Sequence, residues 1–442
     1  MHSAFFAFYF TAMQMPSILK ILAVFTAMVA LTRTRIHLGL LLILGGIAMS
    51  AAAGLPFSET AGHLAEAAAR SDLWLLIFIT ALIVIFGHLI SEKETSAELM
   101  AAVRGWGGRH GRAVSLMVVP AVIGLIPMPG GALFSAPLVA QTVGQESRRT
   151  GWKSAVNYWF RHVWEHWWPL YPVTMITLSI FPIEIWQYTA AQFPMTLACL
   201  LFGWLLLVRP HLDSLADAQA APSTGNRTAG RVALALLATV LLAVFLPSVL
   251  HHLPVSTKPT TRKMASVAIG LAAGLLVLTR GSFRALRARF RLALEIKALG
   301  IYLIIAGVVV FHHMLETSGL LPGAAAELVE SSIPLTLITI LLPFLAGMVT
   351  GIAMGFAGTS FPLVAGLLAA PGSGMHPLST AVLAFSSGYA GMMLSPLHLC
   401  LILTRKYFSE GSAGVYRHII PCATAVWLAA FAMFLVLRSL GL

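Results

Sequence analysis

Pro120-Ala-Val-Ile-Gly124, followed by Pro129-Gly130-Gly131-Ala132-Leu-Phe-Ser135-Ala-Pro137-Leu-Val-Ala140, has a counterpart in the second half of the chain. That counterpart is Pro343-Phe-Leu-Ala-Gly-Met, then Gly355-Phe-Ala-Gly358-Thr359-Ser360-Phe-Pro362-Leu-Val-Ala365. Each is an apolar run of membrane-helix length whose middle is filled with Pro, Gly and small hydroxyl residues, which a helix interior tolerates poorly. Lipid cannot satisfy the N–H and C=O groups that such a break releases. A matched pair of breaks therefore points to protein-lined or water-lined elements around a binding site.

Composition sets the environment. Of 442 residues, 58% are hydrophobic and 10% charged, with a mean hydropathy of +0.86. Soluble proteins average about 25% charged residues, so the chain is an all-α polytopic protein whose first partner is the lipid bilayer. The start, Met1-His-Ser-Ala-Phe-Phe, lacks a basic n-region and a small-residue cleavage site, so no cleavable signal is expected. Cys199, Cys400 and Cys422 fall in apolar runs without metal-ligand spacing and read as small core residues.

Apolar runs predict ten spans: 17–31, 36–53, 73–90, 158–181 and 191–208, then 232–250, 264–278, 298–314, 388–403 and 419–437. The two Pro/Gly-broken segments, about 113–144 and 335–370, read as re-entrant hairpins. Their arms of about 15 residues rise roughly 22 Å, less than a hydrocarbon core of about 30 Å. With neither hairpin crossing, most of the 28 Lys and Arg collect on one side, among them Arg33, Arg104, Arg148, Arg231, Arg284 and Arg405. That side is cytoplasmic by the positive-inside rule, which predicts an inner-membrane protein with both termini outside. The net charge of +12 is thus a topology signal and calls for no nucleic-acid partner. Residues 282–297 read as one basic amphipathic helix on the cytoplasmic leaflet.

Each half, residues 1–209 and 231–442, contains five crossings and is joined to the other by a cytoplasmic linker at 210–230. An odd number of crossings inverts the second half relative to the first, so the hairpin tips approach from opposite sides. The span after each hairpin also breaks at a proline. Trp168-Pro169-Leu170-Tyr171 in the first half corresponds to Ser395-Pro396-Leu397-His398 in the second.

This order of hairpin and broken span, given twice, resembles the ion-transporter superfamily of gluconate permeases, citrate carriers, C4-dicarboxylate carriers and sodium-coupled symporters. Pro127 to Ala132 together with Asn157-Tyr-Trp-Phe-Arg161-His162 most resembles an integral-membrane family of unknown function within that group. The resemblance implies an inverted-repeat, elevator-type secondary transporter, with a scaffold for homodimer contacts and a mobile part made of the hairpins and broken spans. The symporters' Ser-Asn-Thr hairpin signature is replaced by Gly130-Gly131-Ala132 and Gly358-Thr359-Ser360, so the expected coupling ion is a proton rather than sodium.

The candidate chemistry lies in the same breaks. Arg161 in Arg161-His162-Val-Trp-Glu165-His166 can clamp a carboxylate, and Glu165 between two imidazoles can carry a coupling proton. At the hairpin tips, backbone at Pro129, Gly130, Gly131 and Ala132 and at Gly355 and Gly358 can approach a small anionic substrate. Ser135, Thr359 and Ser360 add hydroxyls there, and Ser387, Ser395 and His398 add polar groups from the second broken span. No nucleotide-binding motif is present, no cofactor is expected, and the chain does not read as an enzyme. The competing reading is His162-Val-Trp-Glu165-His166 as the His-x-x-Glu-His pattern of an intramembrane zinc metalloprotease, or as ligands of a metal-ion transporter.

Overall fold

The computed structural model describes residues 15–32, 34–92, 95, 111–125, 131–143, 150–212, 227–251, 259–331, 333–369 and 374–442. Pro129, Gly130 and most of the expected linker at 210–230 lie outside the described residues. The described chain is all-α. In order, the first half supplies α1 (Ser17–Leu31), α2 (Leu38–Ala52), α3 (Phe57–Ala69), α4 (Ser71–Ser91), α5 (Gly111–Gly124), α6 (Ala132–Val143), α7 (Thr150–Arg161), α8 (Pro172–Ile180) and α9 (Ile185–Gly203). The second supplies α10 (Arg227–His251), α11 (Pro259–Leu278), α12 (Phe283–Arg289), α13 (Ile296–Thr317), α14 (Leu320–Glu330), α15 (Leu335–Thr350), α16 (Ala353–Gly366), α17 (Pro377–Met393), α18 (Leu399–Phe408) and α19 (Ser412–Ser439).

Among the described residues, six helices are long and apolar enough to cross a bilayer. They are Ser71–Ile90, Ile185–His211, Gly230–Leu250, Pro259–Leu278, Ala298–Thr317 and Ser412–Ser439. The other four expected spans take shorter forms. α1 and α2 have 15 residues each, and α2 is stopped by Gly54, at φ 83°, with Pro56 behind it. The spans expected at 158–181 and 388–403 are each two helices separated by irregular backbone. The basic segment 282–297 is not one helix: α12 passes into a 3₁₀ turn over Phe290–Leu294, and extended Glu295 precedes α13.

The halves pack crosswise. α2 lies along α13 while α4 lies along α11, and α4 also meets α13. In the region of the breaks, α6 packs on α18 and α8 on α16; α7 packs on α19 and α9 on both α17 and α19. Within each half, α5 packs on α7 and α15 on α17. One polar contact secures the start of the chain. The Glu327 carboxylate on α14 accepts hydrogen bonds from Ser17 N (2.7 Å) and Ile18 N (2.9 Å), satisfying two donors that open α1 without helical partners.

The α15–α17 contact is made by backbone. A Cβ on Gly347 would overlap the Gly388 carbonyl, and one on Gly391 would overlap the Phe344 carbonyl. Small residues allow this approach between helices where a hydrophobic driving force is weak. Gly391→Val is therefore expected to cost about 1–3 kcal/mol through overpacking, because the obstructing atoms belong to backbone. Lower thermal stability of the detergent-purified variant tests this, and an unchanged melting profile would contradict the close packing.

Candidate functional site

Three interruptions meet. The first lies between α7 and α8, where residues 162–171 are turns and bends and Pro172 restarts the helix at its first position. The second lies between α17 and α18, around Pro396. The third is the turn of the second hairpin at Gly351, whose left-handed φ of 65° ends α15 before α16 begins.

The first interruption also holds the first hairpin. Side chains of the break donate to carbonyls at the end of α5, where helical partners run out; of these, Ala121 O also accepts from Leu125 N (3.1 Å). Trp164 Nε1 donates to Ala121 O (2.8 Å), Trp168 Nε1 to Leu125 O (3.1 Å) and Tyr171 OH to Gly124 O (2.5 Å). Asn157 Nδ2 donates to Ala132 O, where α6 starts (3.2 Å), and to Thr404 Oγ1 on α18 (3.0 Å). A Cβ at Gly131 would collide with the Arg161 guanidinium, so the missing side chain is the space that the guanidinium occupies.

Between the interruptions is a cavity of about 200 Å³. The first break contributes Arg161, His162, Glu165 and Tyr171; the hairpin turn contributes Gly351 to Met354; the second break contributes His398 and Cys400. Thr80, Ile83 and Val84 of α4 and Ile301 of α13 close it. Its size is below the roughly 300–1,000 Å³ of drug-sized ligand sites, which suits a small occupant.

Two imidazoles face each other across it. His162 Nδ1 is 2.6 Å from Tyr158 O, and a carbonyl only accepts, so Nδ1 carries a proton and, in the neutral ring, Nε2 presents the lone pair. That atom is 3.1 Å from His398 Nε2 and 3.9 Å from Glu165 Oε1. Glu165 is 6% exposed, and its Oε2 has no hydrogen-bond partner among the described residues. The Tyr158 ring flanks both imidazoles, with ring centroids at 4.9 and 5.2 Å.

Of the residues singled out in the sequence, Arg161, His162, Glu165 and His398 line the cavity, with Gly131 against Arg161. Ser135 is buried and bonds Ala132 O (3.3 Å). The second hairpin turns at Gly351, upstream of the Gly355–Ser360 stretch, which lies within α16. There Thr359 Oγ1 donates to Gly355 O (2.8 Å) and Ser360 Oγ to Phe356 O (2.6 Å), while a Cβ on Gly358 would press on Val308. Ser387 Oγ accepts from Trp427 Nε1 (3.0 Å), and Ser395 Oγ accepts from Leu397 N (3.2 Å) within the break. His166 lies apart, packed on Tyr389 with ring centroids at 4.3 Å. Residues 162–167 form turns, so His162 and His166 do not share a helix face as the His-x-x-Glu-His pattern requires. Gly351 and Cys400 escaped sequence reading. The first was legible as a glycine closing an apolar run, the second as a cysteine two residues after a histidine beside a break.

Residues 17–437 match the family described as Protein of unknown function (DUF401). No curated protein is similar to the chain in sequence. The fold is similar to that of the YdaH transporter of Alcanivorax borkumensis, described as having an unusual topology, with a TM-score of 0.56 and 14% identity over 87% of this chain and 88% of that one. It is also similar to MtrF of Neisseria gonorrhoeae, described with a class of antimetabolite efflux pumps, with a TM-score of 0.55 and 12% identity over 85% of this chain and 82% of that one. The chain thus has a multi-pass, transporter-like membrane fold.

Tyr171→Phe removes the phenolic donor to Gly124 O and leaves that carbonyl without a side-chain donor among the described residues. A loss of about 1–3 kcal/mol is expected. Thermal denaturation of the variant beside wild type measures it, and wild-type stability would show that the bond contributes nothing net.

Proposed function

The chain belongs to this family of unknown function, and we propose that it is a secondary active transporter, a permease for a small organic anion coupled to protons by symport. The observation that carries the reading is the convergence of Arg161, His162, Glu165 and His398 from two interrupted helices on one small cavity inside a transporter-like fold. Buried ionisable groups in a membrane protein are costly and mark pathways for substrates and protons.

The crosswise packing supports an inverted repeat. The pairing of α2 with α13 matches that of α4 with α11, and the pairing of α6 with α18 matches that of α8 with α16. On this reading, 113–144 and 335–370 are re-entrant hairpins, the chain dimerises through its scaffold helices, and the breaks and hairpins move as an elevator. The basic loops put both termini outside the inner membrane. Reporter fusions at Met1 and Leu442 are then expected to signal from the external face, and cytoplasmic signals from either would reject this topology.

In the site, the Arg161 guanidinium supplies the fixed positive charge for a carboxylate. Glu165 takes up the coupling proton, and His162 Nε2 offers a neighbouring acceptor at 3.9 Å from its carboxyl oxygen. Gly351 permits the turn that opens or covers the cavity. The protease alternative receives no support from His166, which is turned into an aromatic cluster.

Purified protein in liposomes, offered gluconate, citrate and dicarboxylates under a pH gradient, tests the proposal. Proton-driven accumulation of at least one acid is expected; accumulation of none would sink it. Glu165→Gln should abolish proton-driven accumulation yet retain exchange of preloaded substrate. Arg161→Gln should weaken transport at least tenfold, since losing one partner of a buried charge pair costs about 2–5 kcal/mol. An unaltered pH response in Glu165→Gln would remove that residue from the coupling role.

A further inference from the structure

The arrangement of His162, His398 and Cys400 exceeds what anion transport asks of it. One ring nitrogen of each histidine and the Cys400 sulfur lie within 4.8 Å of one another, and all three residues are buried. The nitrogens are 3.1 Å apart. A tetrahedral Zn²⁺ with bonds of about 2.0–2.1 Å to nitrogen sets its ligand nitrogens roughly 3.3 Å apart, so the imidazole pair already has nearly that spacing. We propose that His162, His398 and Cys400 form a binding site for a borderline-soft transition-metal ion, with Zn²⁺ the best match, that ties the first break to the second.

Three further observations agree with this. The Nδ1–H of His162 is held by the Tyr158 carbonyl at 2.6 Å, the outer hydrogen bond that orients a metal-ligating histidine and leaves Nε2 free to coordinate. His398 Nδ1 has no partner among the described residues, so either tautomer is open to it and the lone pair can sit on Nε2. Glu165, with one oxygen 3.9 Å from His162 Nε2, borders this group of three without belonging to it, which leaves the fourth position to an exogenous ligand, as in three-ligand zinc sites. A coordinated thiolate offsets part of the dication's charge, which a buried site favours, and the guanidinium of Arg161 keeps its place against Gly131. Imidazole and thiolate together select zinc and its neighbours over magnesium or calcium.

Occupancy has two effects. It bridges α7's end to α18's start, fastening the two halves at the cavity. It also sets a dication beside the Glu165 carboxylate, which borders the ligands at 3.9 Å from His162 Nε2, placing a second fixed charge in the cavity. Binding of the ion is measurable without any transport.

Metal-stripped full-length protein in detergent is titrated with Co²⁺, then with Zn²⁺. One Co²⁺ per chain is expected, with a thiolate-to-cobalt charge-transfer band and the intense visible absorption of a tetrahedral site, both removed by Zn²⁺. Cys400→Ser is expected to lose the charge-transfer band and to bind about 10- to 100-fold more weakly, while His166→Ala retains the band. A monodisperse wild-type protein without the band overturns the proposal whatever the variants do. So does a band that persists in Cys400→Ser, or binding abolished by Glu66→Gln, which would assign the ion to the partly exposed cluster of His63, Glu66 and His313.

Discussion

A helix that stops inside a membrane protein leaves carbonyls that lipid cannot solvate, and the donors that meet them govern the rest of this structure. At the end of α5 those donors are two indoles and a phenol, Trp164, Trp168 and Tyr171, all from the break that follows α7. Their density in so short a stretch has a structural cause: each reaches a different carbonyl of the hairpin. Buried tryptophans of this kind behave unlike the interfacial belts for which the residue is better known. The same segment that holds the hairpin carries Arg161, His162 and Glu165, so satisfying the backbone and siting the charges are one act of folding.

Interruption is also what makes the site polar. A continuous helix would keep residues 161, 162 and 165 on one face of its own surface and satisfy its backbone internally. Unwinding at 162–171 lets the Nδ1–H of His162 turn back to Tyr158 O and aims Nε2 at the second break. Pro396 does the equivalent service for His398 and Cys400, beside which α18 begins. Neither break completes the cavity alone, and α4 and α13 supply only its apolar wall.

The membrane class and the breaks near Pro169 and Pro396 were legible because composition and proline act locally. Arg161, His162 and Glu165 were legible too, since charge inside an apolar run has few innocent explanations. The exact turn of the second hairpin was not. Gly355, Gly358, Thr359 and Ser360 form the denser cluster, yet helix α16 absorbs them: its small residues fit against α13, and its hydroxyls bond their own preceding turn, as Thr and Ser do within helices. The single residue that turns the chain, Gly351, carries no such signature. Cys400 was read as core for a similar reason. Its meaning depends on His162, which lies far away in sequence and reaches it only through tertiary packing.

The aromatic caps on the first hairpin give it a different kind of fastening from the second. Three ring donors rivet it to its neighbouring break. The second hairpin turns on a bond of its own backbone, Gly351 N to Gly347 O at 2.9 Å, with Thr350 Oγ1 donating to Ala346 O at 2.7 Å. Two walls of similar origin are thus fastened differently: one by ring donors reaching across from a neighbouring break, the other by a glycine turn at its mouth and by the backbone contact of α15 with α17.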